Sequence, residues 1–199
     1  MIIDKENALA LFNTYKGATP MKFHSVDIAG FEAQLPVLPL PSGISIAFFN
    51  LHGDSELTEH CAKALAPKLA DCDVLITAES KGLQLTHCVA RELGHRYYAV
   101  ARKTKKLYMQ DGIEITIQSS ITTGKEQKLY LSKHDVDLIK GKKVGIVDDV
   151  VSTGASLAGL EELVEKAGAT VYKKAFVLAE ADAADRKDVI YLASIPIFG

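Results

Sequence analysis

The sequence predicts an α/β fold built on a mainly parallel sheet flanked by helices. From Gly43 onward, short apolar runs alternate with stretches of helical periodicity, the pattern of repeated βα units. Gly94 and Gly168 stand where the helical periodicity stops, a position helix ends favour because glycine adopts the left-handed conformation without a Cβ penalty. Of 199 residues, 48% are hydrophobic and 24% charged, the balance of an ordinary globular chain able to bury one good core.

Residues 1–42 fit the alternation poorly, and the proline-rich stretch Leu35–Pro41 reads as an extended connection to a separate N-terminal hood. The expected division is therefore a hood over 1–42 and a core over 43–199, with the tail 180–199 assisting the hood. Ile44–Phe49 reads as a strand, and Asp54 or Ser55 can cap the next helix, whose Leu57, Cys61, Leu65 and Leu69 share one face. Pro67 should shorten its last turn. Val74–Thr77 is a buried strand, followed by a polar turn at Glu79–Gly82 and a helix from Leu83 to Leu93. Tyr97–Ala101 is a further strand that runs into the basic segment Arg102–Lys106. Between 107 and 131 the chain is rich in threonine and glutamine, and Ile113, Ile115 and Ile117 alternate, which predicts an antiparallel excursion or mobile flap. Val144–Val147 is a short strand, and the helix after it carries Leu157, Leu160, Leu163, Val164 and Ala167. Thr170–Leu178 returns to the sheet, and Val189–Leu192 is a final strand.

Several function classes are disfavoured. No apolar run is long enough to span a bilayer, and the first residues lack the pattern of a secretory signal, so a cytoplasmic protein is expected. Cys61, Cys72 and Cys88 are odd in number and form no C-x-x-C pair, which fits reduced core thiols. A net charge of −2 gives no bulk attraction to nucleic acid. The six histidines show no metal-ligand spacing, and only His52 is placed near the expected cleft.

The most specific feature runs from Asp148 to Ser156. A helix N-terminus leaves several amide N–H groups unpaired and carries a partial positive charge, so it suits a phosphate. Gly154 permits close backbone approach, while Ser152, Thr153 and Ser156 add hydroxyl donors. Asp148 and Asp149 fall at the C-terminal end of the preceding strand, the edge at which open α/β sheets bind ligands. Two adjacent carboxylates there can hold a sugar diol or a hydrated Mg²⁺. A capped βα turn with solvated acids would give the same local pattern. Neither a Walker loop nor a G-x-G-x-x-G string is present to explain it otherwise.

Val144–Ser156 resembles the phosphoribosyl pyrophosphate signature of type I phosphoribosyltransferases, with Ala155 where a second glycine is commoner. Glu79–Leu83 is similar to the pyrophosphate loop of adenine phosphoribosyltransferases, with Lys81 where they usually carry arginine, and lysine offers a point charge instead of a fork. Ala101–Leu107 is similar to the corresponding stretch of xanthine phosphoribosyltransferases. The resemblance covers roughly Phe48–Leu178. It implies a type I phosphoribosyltransferase fold with a flexible flap, and Mg²⁺-dependent transfer of a sugar phosphate from phosphoribosyl pyrophosphate to a purine base. Adenine is the first choice of base and xanthine or guanine the second.

The residues implied to bind the donor are Glu79, Ser80, Lys81 and Gly82, then Arg102, Lys103 and Lys106, then Asp148, Asp149 and Val151 through Ser152, Thr153, Gly154, Ala155 and Ser156. Asp148, Asp149, Arg102 and Lys106 would carry catalysis, and the two aspartates would hold the metal directly or through water. Asn50 would contact the base, although a capping or loop asparagine reads equally well. In this family a non-proline cis peptide often occupies the pyrophosphate loop, which would fall at Glu79–Ser80. Adenine enzymes commonly carry acids where this chain has Gln127–Leu131, so their acid or base assistance does not transfer. Related enzymes are commonly homodimers. Two readings compete: a non-enzymatic regulator that senses phosphoribosyl pyrophosphate, and a nucleic-acid patch formed by the basic segment with Tyr97, Tyr98 and Tyr108.

Overall fold

A computed structural model describes residues 22–117 and 127–199. The expectations for residues 1–21 of the hood and 118–126 of the flap lie outside the described residues.

The main sheet has five strands: β4 (Val74–Ala78), β5 (Ala99–Ala101), β8 (Lys143–Val151), β9 (Thr170–Glu180) and β10 (Ile190–Ile195). Their spatial order is β10-β9-β8-β4-β5, and every neighbouring pair is parallel. Parallel sheets are covered on both faces, and the side chains obey that rule. Leu75 of β4 and Val147 of β8 enter one apolar cluster, whereas Val74, Ile76, Val144 and Ile146 enter the other. The first cluster is closed by α1 (Ser55–Leu65), a 3-10 turn at Ala66–Leu69 and α2 (Gly82–Glu92). The second is closed by α4 (Ala155–Lys166), by Ile139 of α3 (Lys133–Ile139), and by the hairpin of β6 (Ile113–Ile117) and β7 (Gln127–Leu131). Pro67 converts the end of the first helix into the 3-10 turn. No helix among the described residues is long and apolar enough to cross a membrane.

A second, antiparallel sheet has the order β1-β2-β3-β11, from β1 (Phe23–Ile28), β2 (Phe31–Pro39), β3 (Ser45–Ala47) and β11 (Ile197–Phe198). Val26, Ile28, Ala33, Leu35 and Ala47 pack it onto the first cluster. Ile28 pairs with Phe31 across Ala29 and Gly30, whose φ angles are 53° and 91°. That is the twist a two-residue hairpin requires.

Three expectations are corrected by the strands. Leu35–Pro41 is no bare connection, because β2 continues through Pro39. Proline's fixed φ is compatible with an extended strand, and Pro36 contributes its carbonyl, which accepts from the Phe48 N–H at 2.8 Å. The strand expected over Ile44–Phe49 is limited to Ser45–Ala47 and joins the antiparallel sheet, not the parallel one. The strand expected from Tyr97 begins only at Ala99, since it is ordered by pairing with β4 at Ile76↔Ala99.

Candidate active site

β4 and β8 lie side by side and parallel, so their C-terminal ends open at the same edge of the sheet. Each runs through a short turn into a helix, β4 into α2 and β8 into α4. Among the described residues, the capping of the α-helices divides along this line. Asp54 caps α1 by accepting from the Leu57 N–H at 3.0 Å, and Ser132 Oγ caps α3 by accepting from the Asp135 N–H at 3.1 Å. The helices α2 and α4 have no side-chain cap, and their N-cap positions are Lys81 and Gly154. An uncapped helix start keeps backbone donors available for an anion. Gly154 has φ +83°, which an L side chain adopts only with strain. Val151 is buried, while Ser152, Thr153 and Ser156 are exposed around the turn and Ala155 is half-buried.

Asp148 and Asp149 are 7% and 6% exposed, a depth at which carboxylates need compensation. Asp148 Oδ1 accepts from the Asp149 N–H at 2.9 Å and from Ser80 Oγ at 3.3 Å. Burial, and next the neighbouring Asp149 carboxylate, push the Asp148 carboxyl up to about 7. Asp149 Oδ2 forms an ion pair with Lys81 Nζ at 2.8 Å but receives no aligned hydrogen bond among the described residues. Lys81 Nζ also donates to the Phe49 carbonyl at 2.8 Å and lies 5.4 Å from the centre of the Phe48 ring. Gly82 completes this packing, because a Cβ there would stand 2.3 Å from Asp148 Oδ1.

The basic segment enters from β5. Glu79 Oε1 pairs with Arg102 Nη2 at 2.9 Å, and Glu79 Oε2 accepts the Lys103 N–H at 3.2 Å. Burial raises the Glu79 carboxyl, but Arg102, the Lys103 amide and the charge of Lys106 outweigh it and hold the group below its ordinary value. Arg102 Nη1 donates to Tyr108 Oη at 3.1 Å, whereas the buried Nε finds no partner among the described residues. The side chains of Ser80, Lys103, Asp148, Asp149 and Ser156 line one depression, which adjoins a second one formed by Val151–Leu157.

The three predicted segments 79–82, 102–106 and 148–156 therefore meet at one edge of the sheet. Asn50 is exposed beyond Phe49, and its Oδ1 accepts the His52 N–H at 3.2 Å. Its neighbour Phe49 accepts from Lys81, which pairs with Asp149. His52 Nδ1 in turn lies 3.3 Å from Gln84 Nε2. The cis bond implied at Glu79–Ser80 is absent, since there is no cis peptide among the described residues. Trans amides already close this turn, with the Ser80 N–H donating to the Ala78 carbonyl at 2.8 Å and the Glu79 N–H to the Ala101 carbonyl at 2.8 Å.

Sequence reasoning missed Phe48 and Phe49 as partners of Lys81, and Tyr108 as a partner of Arg102. It also missed Arg186, whose Nη1 lies 2.8 Å from where a Cβ on Gly154 would stand. The Lys81 and Arg186 contacts join segments about thirty residues apart, whose proximity no local pattern encodes.

A family model described as a phosphoribosyl transferase domain matches residues 53–195. The xanthine phosphoribosyltransferase of Bacillus cereus (strain B4264) is 31% identical over 137 residues, spanning 68% of this chain and 68% of that protein. The xanthine phosphoribosyltransferase of Bacillus anthracis (strain A0248) gives the same figures. Among solved structures, the adenine phosphoribosyltransferase from Thermoanaerobacter pseudethanolicus superposes with a TM-score of 0.65 at 24% identity, covering 80% of this chain and 95% of that one. The enzyme from Giardia lamblia complexed with 9-deazaadenine also gives 0.65, at 19% identity over 80% of this chain and 93% of that one. These structural likenesses speak for the fold, and the family match spans both uncapped helix starts and the acidic pair between them. The chain belongs to the phosphoribosyl transferase domain family.

Proposed function

We propose that this chain is a purine phosphoribosyltransferase that moves the 5-phosphoribosyl group from phosphoribosyl pyrophosphate to a purine base. In that reaction the bond between the sugar's anomeric carbon and the pyrophosphate oxygen breaks, and the leaving group keeps the electron pair. A bond from the anomeric carbon to a ring nitrogen of the base forms, and the base gives up its proton. The observation that supports the reading is the buried pair Asp148–Asp149 set between two helix starts without side-chain caps. That edge offers donors for phosphates on either side and acceptors for a diol in the middle.

The backbone amides at Thr153–Ser156 hold the 5-phosphate, with Val151 and Ser152 shaping the approach. Asp148 and Asp149 accept from the ribose hydroxyls, and Ser80 orients Asp148. Lys81, Arg102, Lys103 and Lys106 neutralise the departing pyrophosphate, with Glu79 keeping Arg102 in place. Stabilising leaving-group charge in a site that excludes water is the main source of acceleration. No three acidic, histidine or cysteine groups converge as a metal cage among the described residues. Mg²⁺ retains several waters and commonly takes one or two carboxylates plus substrate phosphates, so the acidic pair fits a cation that arrives on the donor. When bound, Mg²⁺ would neutralise charge on the pyrophosphate oxygens. A homodimer in the cytoplasm completes the reading.

Adenine is the preferred base, on the similarity of Glu79–Leu83; xanthine or guanine is the second choice, and the 31% identity to xanthine phosphoribosyltransferases supports xanthine of the two. The test is pyrophosphate release from the donor and Mg²⁺ with adenine, guanine, hypoxanthine or xanthine, in wild type and in the double variant D148N/D149N. Turnover on one purine, abolished in the double variant, is expected. Wild-type turnover in the double variant would reject the assigned roles. Absence of turnover on every base, with nucleic-acid binding that responds to the donor, would favour a sensing regulator instead.

A further inference from the structure

The cations assigned above come from two other segments of the chain. Lys81 is fixed on Asp149, and Arg102, Lys103 and Lys106 gather around Glu79. The turn at Ser152–Gly154, which would take the dianionic 5-phosphate, has backbone and hydroxyl donors but no cation of its own segment. Arg186 lies against it from outside that segment. Its Nη1 stands 2.8 Å from the position a Cβ would take on Gly154, so the guanidinium occupies the space that the glycine leaves.

Arg186 is also braced. Its Nε and Nη2 donate to Asp188 Oδ1 and Oδ2 at 3.0 and 2.7 Å, the two-pronged geometry that fixes a guanidinium plane. Asp188 is itself held by Lys174 of β9, and Lys174 donates to Glu161 of α4 at 2.8 Å. The Tyr191 hydroxyl donates to the Ala184 carbonyl at 2.9 Å and pins the 3-10 turn of Ala181–Asp185 that precedes Arg186. The arginine is thus tied to the same helix whose N-terminus forms the turn. Both prongs face Asp188, which leaves Nη1 as the nitrogen beside Gly154.

We propose that Arg186 is a positioning residue of the 5-phosphate subsite: braced by Asp188, its guanidinium sets the turn at Gly154 and supplies the charge that matches the phosphomonoester. The inference rests on the proposed function and adds a residue to it. It also explains why position 154 is a glycine twice over, once for its backbone and once for the arginine packed on it.

The experiment separates the two ends of the donor. Affinity for ribose 5-phosphate and for inorganic pyrophosphate with Mg²⁺ is measured calorimetrically in wild type, R186Q and R186K. Hydrogen bonds and close pairs with charged groups support an expectation of about 10- to 100-fold weaker ribose 5-phosphate binding in R186Q. Pyrophosphate binding should change by no more than about twofold, because its cations lie elsewhere, on the general ground that distant sites act independently. R186K, which keeps the charge but loses the fork on Asp188, should fall between. Under turnover, the KM for the donor should rise more than kcat falls.

Equal ribose 5-phosphate affinity in wild type and R186Q would overturn the proposal, as would an equal loss for both ligands, which marks a merely structural arginine. Should R186Q fail to fold, R186K carries the test, with the same selective loss required. Wild-type protein that binds neither ligand would instead defeat the functional reading on which this inference stands.

Discussion

Substituting alanine at Gly82 should damage the acidic pair without removing any functional group. The added Cβ would stand 2.3 Å from Asp148 Oδ1, 2.8 Å from Thr77 Oγ1 and 3.0 Å from Asp148 Cα, against an ordinary contact of 3.4 Å or more. Relieving the shortest contact requires a displacement of about 1 Å (3.4 less 2.3). Neither partner is a loose chain end: Asp148 is held by Ser80 and by the Asp149 amide, and Thr77 is fully buried in β4. Forcing extra volume into such packing costs about 1–3 kcal/mol. At roughly 2–4 °C per kcal/mol for a chain of this size, the melting temperature should drop by about 2–12 °C. A 1 Å misplacement of a positioning group can cost on the order of 100-fold in rate. Steady-state kcat/KM for the donor, measured well below the variant's melting temperature, is the deciding assay. A G82A protein with wild-type kcat/KM would refute the claim that Asp148 must stand where it does.

The remaining predictions concern other parts of the same sheet edge. Because burial and Asp149 raise the Asp148 carboxyl above its unfolded value, its contribution opposes folding as the pH rises. The ligand-free protein should keep its full stability from this group below the unfolded carboxylate pKa of roughly 4, and lose it as the pH climbs through about 7. Melting curves across that window should slope less in D148N than in wild type, and donor affinity in wild type should improve over the same range as the carboxylate ionises. G145A tests stability alone. Its Cβ would meet Leu75 Cδ2 at 2.9 Å and Cys72 Sγ at 3.0 Å near the N-terminal ends of β4 and β8, away from the turns at their C-terminal ends. A melting temperature lowered by a few degrees with donor KM unchanged is expected, on overpacking of about 1 kcal/mol or more.

The parallel sheet was legible because its strands are buried on both faces and its helices carry apolar stripes, so periodicity alone marks each βα unit. The turn between β8 and α4 stood out for a related reason. Asp148 to Ser156 is contiguous, and its chemistry is carried by neighbours in the chain. What stayed hidden was non-local. Nothing around Lys81 announces Asp149 or the Phe49 carbonyl as its partners, and nothing around Gly154 announces Arg186. Ile44–Phe49 has a strand's composition, but composition does not say which sheet a strand will join. The Ala29–Gly30 hairpin was missed because alanine is a poor signal for a left-handed turn. Ser132 and Asp135, by contrast, formed a readable helix start for α3 that went unused.

The unequal capping of α1 to α4 has a consequence for how the molecule rests. A side-chain cap contributes about 1 kcal/mol to a helix, and α2 and α4 do without one. Their first turns should therefore fray more readily than those of α1 and α3, and amide hydrogen exchange would register the difference. An anion seated on both starts would act as a borrowed piece of secondary structure, quieting two segments that are distant in sequence.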